Sequence, residues 1–450
     1  MQVLLVSTYE MGHQPLHVAS PAAALRSRGH DVACLDLSVQ PWDPAAVDTV
    51  DAVAFSVPMH TAMRLAIRAA EATRARRSDV PIAFYGLYAP VGRDHTVGRV
   101  ADRVIAGEYE PALVSWVDAL AAGAWEGPAY TSDLGRGRAS FELPARDLLP
   151  PLERYAHFAD GGDERPVGYV EASHGCKYRC RHCPLPVVYD GAFRIVDADV
   201  VLADVAQLVE AGARHITFGD PDFLNGPGHV LPLVRRMHEE FSDVTFDVTT
   251  KVEHVARGDR ELFAELARCG CRFIVTAVEC LNDDVLQLLD KGHTATEASR
   301  AVTVLREVGI EPRPSFLPFT PWTSLADLVA LLDFVIDHDL IGNVEAVQYG
   351  IRLLLPEGSL LLDKPEIVPY LGAYDPERLT FAWHAADPRV DDLQAELAAF
   401  TEQQAEVGGS MLKTFIEVDA RVRQAAGAQP AQIDAGSVEG RPRLTEPWFC

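Results

Sequence analysis

The chain has 450 residues, 48% of them hydrophobic, which is enough to build about three domain-sized units with large cores. Acidic residues outnumber Lys and Arg by 65 to 40, and the net charge of −25 argues against nucleic acid as a partner. Eight cysteines are too few for a disulfide scaffold, and the N-terminus carries no basic leader or cleavage site. Since no apolar stretch approaches the roughly 20 residues of a membrane span, we expect a cytoplasmic protein without a membrane partner.

Residues 1–125 alternate predicted strands and helices. Predicted strands lie at residues 2–7, 31–37, 51–57, 82–85 and 103–105, and predicted helices at 21–28, 61–76 and 111–120. This alternation predicts an α/β domain built on a doubly wound parallel sheet. Ligands of such sheets bind outside the carboxyl ends of the strands. The loops expected at that edge are 7–15, 56–61, 86–91 and 107–110.

Three further segments follow. Residues 126–165 are rich in Gly, Pro and charge and are expected to form a linker that runs over the surface. Residues 166–365 return to strand–helix alternation, with predicted strands at 167–173, 216–218, 245–249, 272–278, 313–317 and 346–354. Six such units predict a partial (β/α)6 barrel of the TIM type, with its chemistry at the carboxyl ends of the strands. Residues 366–425 are expected to form a C-terminal helical region, and residues 426–450 a flexible tail.

Three cysteines at C-x3-C-x2-C spacing follow the first barrel strand: Cys176, Cys180 and Cys183. Three thiolates on one loop can bind three corners of a 4Fe–4S cluster and leave the fourth iron open to a substrate. Zinc normally takes four ligands from two separated pairs, and no second C-x2-C exists here, although His174 or His182 remains a conceivable fourth ligand. Cys269, Cys271 and Cys280 are better explained as small buried hydrophobic residues than as a second cluster site.

This motif, after a strand and opening a helix, resembles the signature of radical S-adenosylmethionine enzymes. The resemblance implies that the open iron binds the amine and carboxylate of S-adenosylmethionine. It also implies that an external electron donor, such as flavodoxin or ferredoxin, drives cleavage to a 5′-deoxyadenosyl radical. His182 departs from the family pattern, which usually has another kind of aromatic ring before the third cysteine.

The resemblance extends to the ends of the next two strands. Gly219 and Asp220 stand where the family has a Gly-Gly-Glu-like stretch that binds the methionyl amine, and Asp222 lies in the same turn. An Asp-Pro turn with a helix cap is the alternative. Lys251 could meet the methionyl carboxylate or could be a solvated side chain.

Three further residues complete the predicted cofactor site. Glu279 ends a strand in a segment that resembles the G-x-E-S stretch of the family, whose Glu commonly contacts the cofactor. Arg313, on the fifth strand, could reach ribose or carboxylate. Arg352 lies in the predicted adenine pocket, 349–359, or is an ordinary salt-bridge partner.

The N-terminal unit resembles the flavodoxin-like, cobalamin-binding domain of many radical S-adenosylmethionine enzymes. The matching stretches are VLLVS, SVPMHTA, FYGLYAP and GEYE, each at a strand or its carboxyl end. The cobalt-ligating D-x-H-x-x-G pattern is missing, because the first loop reads TYEMGH from Thr8 to His13. Relatives without this pattern still bind cobalamin, so cobalamin remains an open expectation beside a domain that only packs or binds substrate.

Five further stretches and the C-terminal cysteine resemble a narrower family. HITFGDPDFLNGP, DVTTKVEH, LLDKGHT, PFTPWTS and QYGIRLLLPEGS, with the terminal Cys450, resemble the CUAEP/CCAEP-tail radical SAM proteins. The resemblance implies a catalytic role for Cys450 in redox or metalloid chemistry, and a chain that continues with selenocysteine if codon 451 is UGA. A chance terminal cysteine is the alternative.

These patterns predict a radical enzyme that abstracts hydrogen from a small-molecule substrate. The alternatives are a cobalamin-dependent radical methyltransferase, a transferase of the aminocarboxypropyl group, and a non-enzymatic electron-transfer or zinc-binding module. A retained corrinoid would favour the first alternative, methylthioadenosine the second, and intact S-adenosylmethionine the third.

Overall fold

The computed structural model describes residues 1–125, 127, 129–134, 141–433 and 438–446. Cys450 lies outside the described residues, so its predicted role stays a prediction. Within them, no helix is both long enough and apolar enough to cross a membrane.

The N-terminal unit is a six-stranded parallel sheet with helices on both faces. Its strands are β1 (Gln2–Ser7), β2 (Asp31–Asp36), β3 (Ala52–Ser56), β4 (Ile82–Tyr85), β5 (Arg103–Gly107) and β6 (Ala129–Asp133), in the order β2-β1-β3-β4-β5-β6. Its helices are α1 (Leu16–Ser27), α2 (His60–Arg76), α3 (Arg93–Thr96) and α4 (Tyr109–Ala121). Strands β3 and β4 are buried at every position, because helices cover both faces of the sheet. The predicted doubly wound sheet is confirmed.

The second unit is a curled sheet that forms a half-barrel. Its strands are β7 (His157–Asp160), β8 (Asp163–Val170), β11 (His215–Phe218), β12 (Thr245–Thr250), β13 (Cys271–Glu279) and β14 (Glu311–Phe316); the short hairpin of β9 (Ser173–Gly175) and β10 (Phe193–Ile195) lies apart from them. Its helices are α5 (Leu185–Tyr189), α6 (Ala198–Glu210), α7 (Pro227–Glu240), α8 (Val252–Arg257), α9 (Arg260–Arg268), α10 (Asp283–Leu288), α11 (Ala295–Glu307) and α12 (Leu325–Asp337). Strands β8, β11, β12, β13 and β14 are parallel, so their carboxyl ends share one edge.

The predicted sixth barrel strand is wrong. Residues 346–350 form a 3-10 turn, and Phe319 and Arg352 share only an isolated bridge. The side chain of Gln348 accepts a hydrogen bond from Phe316 N at 2.7 Å and so takes the place of a strand partner at the edge of β14. Gly350 packs against the backbone of Ala398, which leaves no room for a side chain there.

The segment expected to be a surface linker contributes to both sheets instead. It supplies β6 to the N-terminal sheet and β7 to the half-barrel, where β7 pairs antiparallel with β8. Leu152 and Phe158 are buried in it. Composition did not reveal these strands because Gly and Pro surround them.

The C-terminal region closes the half-barrel. It contains the hairpin β15 (Leu371–Asp375) and β16 (Thr380–Trp383), and the helices α13 (Pro388–Glu406) and α14 (Met411–Ala426). In the segment expected to be a flexible tail, residues 443–444 form β17, which pairs antiparallel with β7. Leu444 packs with Phe158 and Phe273 inside the barrel. The described part of the tail is therefore a wall of the barrel.

Arg146 joins the two units. Its guanidinium donates to both carboxylate oxygens of Asp204, at 3.0 and 2.8 Å, and to the Tyr169 carbonyl at 2.7 Å. It also donates to the carbonyl and side-chain oxygens of Gln14 in the N-terminal unit, each at 3.3 Å. The side chains of Arg146 and Asp204 are only 7% and 4% exposed.

We expect Arg146→Met to lower the free energy of unfolding by about 3–5 kcal/mol, because it leaves the Asp204 carboxylate buried without its partner. Urea denaturation of the apoprotein measures this. As the matched control, Arg26→Met breaks an exposed pair with Asp147 and should cost no more than about 1 kcal/mol. Equal, small losses for the two variants would contradict a joining role for Arg146.

Candidate active site

The three predicted cluster cysteines lie on one loop at the carboxyl edge of the half-barrel. The loop begins after β9 and ends before α5; Cys176 and Cys180 are buried and Cys183 is half-buried. Cys183 N donates to the Cys180 carbonyl at 3.2 Å, which folds the loop back on itself. Gly175 precedes the loop with φ +74°, and a Cβ there would lie 2.5 Å from the Ala192 carbonyl oxygen, so only glycine fits.

The arrangement of these thiols fits a cluster better than a zinc ion. Among the residues that the structure describes, no group of three or more His, Cys, Asp or Glu side chains is placed to hold a single metal ion. Zinc needs its thiolate ligands within about 2.3 Å of one centre. In a 4Fe–4S cluster each thiolate binds a different iron, so the three sulfurs lie further apart. That Cys176, Cys180 and Cys183 hold a cluster stays a prediction.

A buried lysine supplies positive charge beside the loop. Burial raises the pKa of the Cys183 thiol to about 12, and the neighbouring Lys291 opposes this rise. Burial also opposes the charge on Lys291, but Glu279 and the Cys180 and Cys183 thiols outweigh it, so the pKa of Lys291 lies above its usual value. A cation in this position would attract the negative charge of a thiolate-bound cluster.

Glu279 holds Lys291 and His182 in place. Its carboxylate lies 2.9 Å from Lys291 Nζ and 3.2 Å from His182 Nε2. Burial favours the neutral acid, but these two partners outweigh it and keep the pKa of Glu279 well below its usual range. Glu279 adopts a φ of +64°, a strained conformation for a residue other than glycine. The cofactor contact predicted for Glu279 stays a prediction, and the partners that the structure shows are these two.

Gly219 and Asp220 lie beside the segment that leads into the cluster loop. A Cβ on Gly219 would lie 1.9 Å from the Tyr169 hydroxyl, so Tyr169 occupies the space over this residue. The Asp220 carboxylate accepts hydrogen bonds from Ala172 N at 2.9 Å and Ser173 Oγ at 2.5 Å. Burial raises the pKa of Asp220 to about 7. The described partners of Asp220 thus belong to the chain that leads into the loop.

Asp222 and Lys251 lie near the loop, after the ends of β11 and β12 respectively. Asp222 accepts hydrogen bonds from Thr250 Oγ1 at 2.7 Å and His254 Nε2 at 3.0 Å. Lys251 Nζ lies 3.4 Å from the ring centroid of Tyr178, a residue of the cluster loop, and 3.3 Å from Glu253. Since Lys251 is buried, the alternative of a solvated side chain is wrong.

The two predicted arginines have different surroundings. Arg313 is buried in the barrel, with its guanidinium 2.7 Å from Glu345 and 3.2 Å from the Pro442 carbonyl. Arg352 packs over the Trp383 ring at 3.8 Å and lies 3.5 Å from Asp391. The structure therefore favours the salt-bridge alternative for Arg352. Arg352 does not line either of the two cavities described below.

A chain of carboxylates and imidazoles crosses the interface between the two units, and the sequence did not predict it. In order, its members are Glu108, His174, Glu171, His17 and Glu10. Successive contacts are 3.1, 3.2, 3.3 and 2.9 Å. Glu10 and Glu108 lie within the predicted edge loops 7–15 and 107–110, which was the available signal, but only the tertiary structure places them near the histidines that contact Glu171.

Four members of this chain, Glu10, His17, Glu171 and His174, line a cavity of about 160 Å³, which we call the inter-domain cavity. One wall comes from the edge loops of the N-terminal sheet, and the other from residues that flank the cluster loop, including Gly175 and Leu185. Burial opposes the charge on His17 and His174, but their carboxylate partners outweigh it and raise both pKa values well above the usual value. Because both nitrogens of each ring contact carboxylates, neither ring is free to bind a metal, and the zinc-ligand alternative for His174 is wrong.

Two domain-family models match the chain. The B12 binding domain matches residues 2–116, and the Radical SAM superfamily matches residues 170–335. The chain therefore joins an N-terminal B12-binding domain to a domain of the Radical SAM superfamily. These matches confirm the predicted cofactor classes: a 4Fe–4S cluster, S-adenosylmethionine and cobalamin.

Curated relatives match parts of the chain. An uncharacterized methyltransferase of Pyrococcus horikoshii is 26% identical over 274 residues, which cover 56% of this chain and 57% of that protein. The hopanoid C-3 methylase of Methylococcus capsulatus is 23% identical over 338 residues, which cover 69% of this chain and 62% of that protein. The chain thus spans 57% and 62% of the lengths of these relatives.

Solved structures share the whole architecture. The cobalamin-dependent S-adenosylmethionine radical enzyme OxsB with aqua-cobalamin bound superposes with a TM-score of 0.69 at 14% identity, over 90% of this chain and 67% of that one. The radical S-adenosylmethionine methyltransferase TsrM from Kitasatospora setae, with cobalamin and a 4Fe–4S cluster bound, gives 0.65 at 16% identity, over 95% of this chain and 99% of that one. At these identities the likeness confirms the predicted two-domain fold.

The raised pKa of Asp220 predicts a specific dependence of stability on pH. Between its unfolded pKa of 3.8 and its folded value of about 7, the folded state binds a proton that the unfolded state lacks. The stabilisation is therefore complete below the unfolded pKa and is lost as the pH rises through about 7, with a slope of up to about 1.4 kcal/mol per pH unit. Urea denaturation of the apoprotein between pH 5.5 and 8 measures this slope.

We expect Asp220→Asn to flatten this slope relative to the natural protein, because the titrating group is gone. The control Asp363→Asn changes an exposed residue and should leave the slope unchanged. Parallel curves for Asp220→Asn and the natural protein would show that Asp220 does not titrate in this range.

Proposed function

We propose that the chain is a cobalamin-dependent radical S-adenosylmethionine methyltransferase that acts on a small-molecule substrate. The inter-domain cavity carries this proposal, since its walls come from the carboxyl edge of the B12-binding domain and from residues beside the cluster loop. A methyl carrier on one side and a radical source on the other would share one space. The comparisons support this alternative better than hydrogen abstraction alone, because the two curated relatives are named as methyltransferases.

When bound, the cluster and S-adenosylmethionine would supply the radical, and cobalamin would carry the methyl group. Cys176, Cys180 and Cys183 would hold the cluster, and Lys291 would compensate its charge. Glu279 would fix Lys291 beside the loop. Met11 and Met59 line the cavity and would help to exclude water from it.

Cobalamin would bind without a histidine ligand from this chain's first loop. His13 of this loop lines the barrel cavity and not the inter-domain cavity. His17, in the first turn of α1, has both nitrogens paired with carboxylates. This agrees with the missing D-x-H-x-x-G pattern. Met11 and the loop 56–61 would then contact the corrinoid through apolar surface.

The remaining predicted roles stay part of this proposal. Gly219 and Asp220, with Asp222 in the same turn, would bind the methionyl amine of S-adenosylmethionine. Lys251 would bind the methionyl carboxylate, and Glu279 would contact the cofactor. An external donor such as flavodoxin or ferredoxin would deliver the electron.

Reconstitution without oxygen tests the function. The protein is loaded with iron, sulfide and hydroxocobalamin, and then receives methyl-deuterated S-adenosylmethionine and dithionite. We expect a corrinoid spectrum that survives gel filtration, and both S-adenosylhomocysteine and 5′-deoxyadenosine by mass spectrometry. Cys180→Ala should reduce 5′-deoxyadenosine to background, because it removes one cluster ligand.

The matched control is Cys269→Ala, which removes a buried thiol outside the loop and should keep the cluster. Loss of the corrinoid on gel filtration with continued 5′-deoxyadenosine formation would favour simple hydrogen abstraction. Methylthioadenosine as the sole product would indicate aminocarboxypropyl transfer. Intact S-adenosylmethionine beside a confirmed cluster would favour the electron-transfer module.

We also propose membership of the CUAEP/CCAEP-tail group and a catalytic thiol at Cys450. Glu446 accepts a hydrogen bond from the Tyr9 hydroxyl at 3.1 Å and lines the barrel cavity. Cys450 follows Glu446 by four residues in the sequence.

The gene sequence beyond codon 450 tests this membership. We expect a UGA codon followed by codons for Ala, Glu and Pro, because the resemblance places selenocysteine after Cys450. A different stop codon, or other codons after it, would contradict the assignment without affecting the methyltransferase proposal.

A further inference from the structure

A second cavity lies inside the half-barrel, and we call it the barrel cavity. Its volume is about 130 Å³. Its walls are the inner face of the sheet, Met11 and His13 from the N-terminal unit, and Leu444 and Glu446 from the C-terminal segment. An apolar cavity of about 150 Å³ holds benzene, so this one suits a ligand of a similar size.

Two polar atoms in its walls are buried without a partner. His13 is 4% exposed and Asn343 is 1% exposed. In the described part of the chain, neither His13 Nδ1 nor Asn343 Oδ1 has a hydrogen-bond partner. Buried polar groups nearly always have partners, and one that lacks them costs stability. Both residues line this one cavity, so a polar ligand there would have two unpartnered atoms nearby to satisfy.

The cavity also carries separated charges of opposite sign. Arg313 lies on β14. It donates to the Pro442 carbonyl and the Glu345 carboxylate, which together use two of its five N–H groups. Asp247 lies two strands away on β12, and both of its hydrogen bonds, from His215 at 2.9 Å and Thr217 at 2.7 Å, reach the same oxygen. Burial lowers the pKa of His215, so its ring is not a strong counter-charge.

We propose that the barrel cavity binds a small zwitterion of the amino acid type. Its ammonium group would meet Asp247, its carboxylate would meet Arg313, and a further polar group would meet His13 Nδ1 or Asn343 Oδ1. The His13 ring packs against the Tyr169 ring, tilted by 35° with the centroids 4.8 Å apart. This contact orients His13 as a specificity-determining residue. This ligand would be the methyl acceptor. That role rests on the proposed function, whereas the binding of the ligand does not.

Calorimetry on the cluster-loaded protein tests the site without turnover. The probes are the twenty common amino acids, each with and without S-adenosylmethionine. We expect at least one to bind, and its N-acetyl and methyl ester derivatives to bind at least about tenfold more weakly, because each lacks one charge.

His13→Phe separates ligand binding from structure. It keeps the ring on Tyr169 and removes the unpartnered nitrogen, so the melting temperature should stay the same or rise while affinity for the amino acid falls about tenfold. His238→Phe changes a histidine on α7 outside the cavity. It should alter neither the affinity for the amino acid nor the affinity for S-adenosylmethionine.

Three results would overturn the proposal. The first is that none of the twenty probes binds. The second is that His13→Phe lowers the melting temperature and leaves affinity unchanged, which assigns His13 a structural role or a bound water. The third is that His13→Phe weakens only S-adenosylmethionine, which assigns the cavity to the cofactor. Amino acid binding without any methyl transfer would instead contradict the proposed function and leave this site intact.

Discussion

The buried chain of carboxylates and imidazoles between the two units is the interaction on which the rest of the structure depends. It alternates Glu108, His174, Glu171, His17 and Glu10, so each ring has an acid on both sides. Buried ion pairs add little net stability, because desolvation offsets their attraction, but they penalise any arrangement that separates the partners. We interpret the chain as the element that fixes the register between two sheets whose carboxyl edges face one cavity.

The cluster loop depends on a similar principle at smaller scale. Asp220 holds the chain that enters the loop, Lys251 packs on Tyr178 within it, and Glu279 fixes Lys291 and His182 beside it. Each contact comes from the carboxyl end of a different strand, which is where parallel strands bring distant residues together. The loop is therefore positioned by three strands and not by its own sequence, as a precise site requires.

The sequence alone predicted which residues form the site better than it predicted what those residues contact. The three cysteines were readable because their chemistry depends on spacing within one loop. Arg352 was ambiguous because an arginine at the end of a strand suits a ligand or a salt bridge equally well, and only its packing on Trp383 decided between them. The missed sixth strand has the same origin: residues 346–354 are apolar enough for a strand, but Gln348 satisfies the edge of β14 instead.

The sequence by itself determined two α/β units, the thiolate loop and the class of cofactors, because hydrophobic periodicity and short motifs are local properties. The tertiary structure decided which acids meet which histidines, how a Gly- and Pro-rich segment joins both sheets, and where the tail lies. Leu444 becomes a wall of the barrel through pairing with β7, more than 280 residues earlier in the chain. Such contacts depend on the whole fold, since no local pattern records which distant surface a side chain will cover.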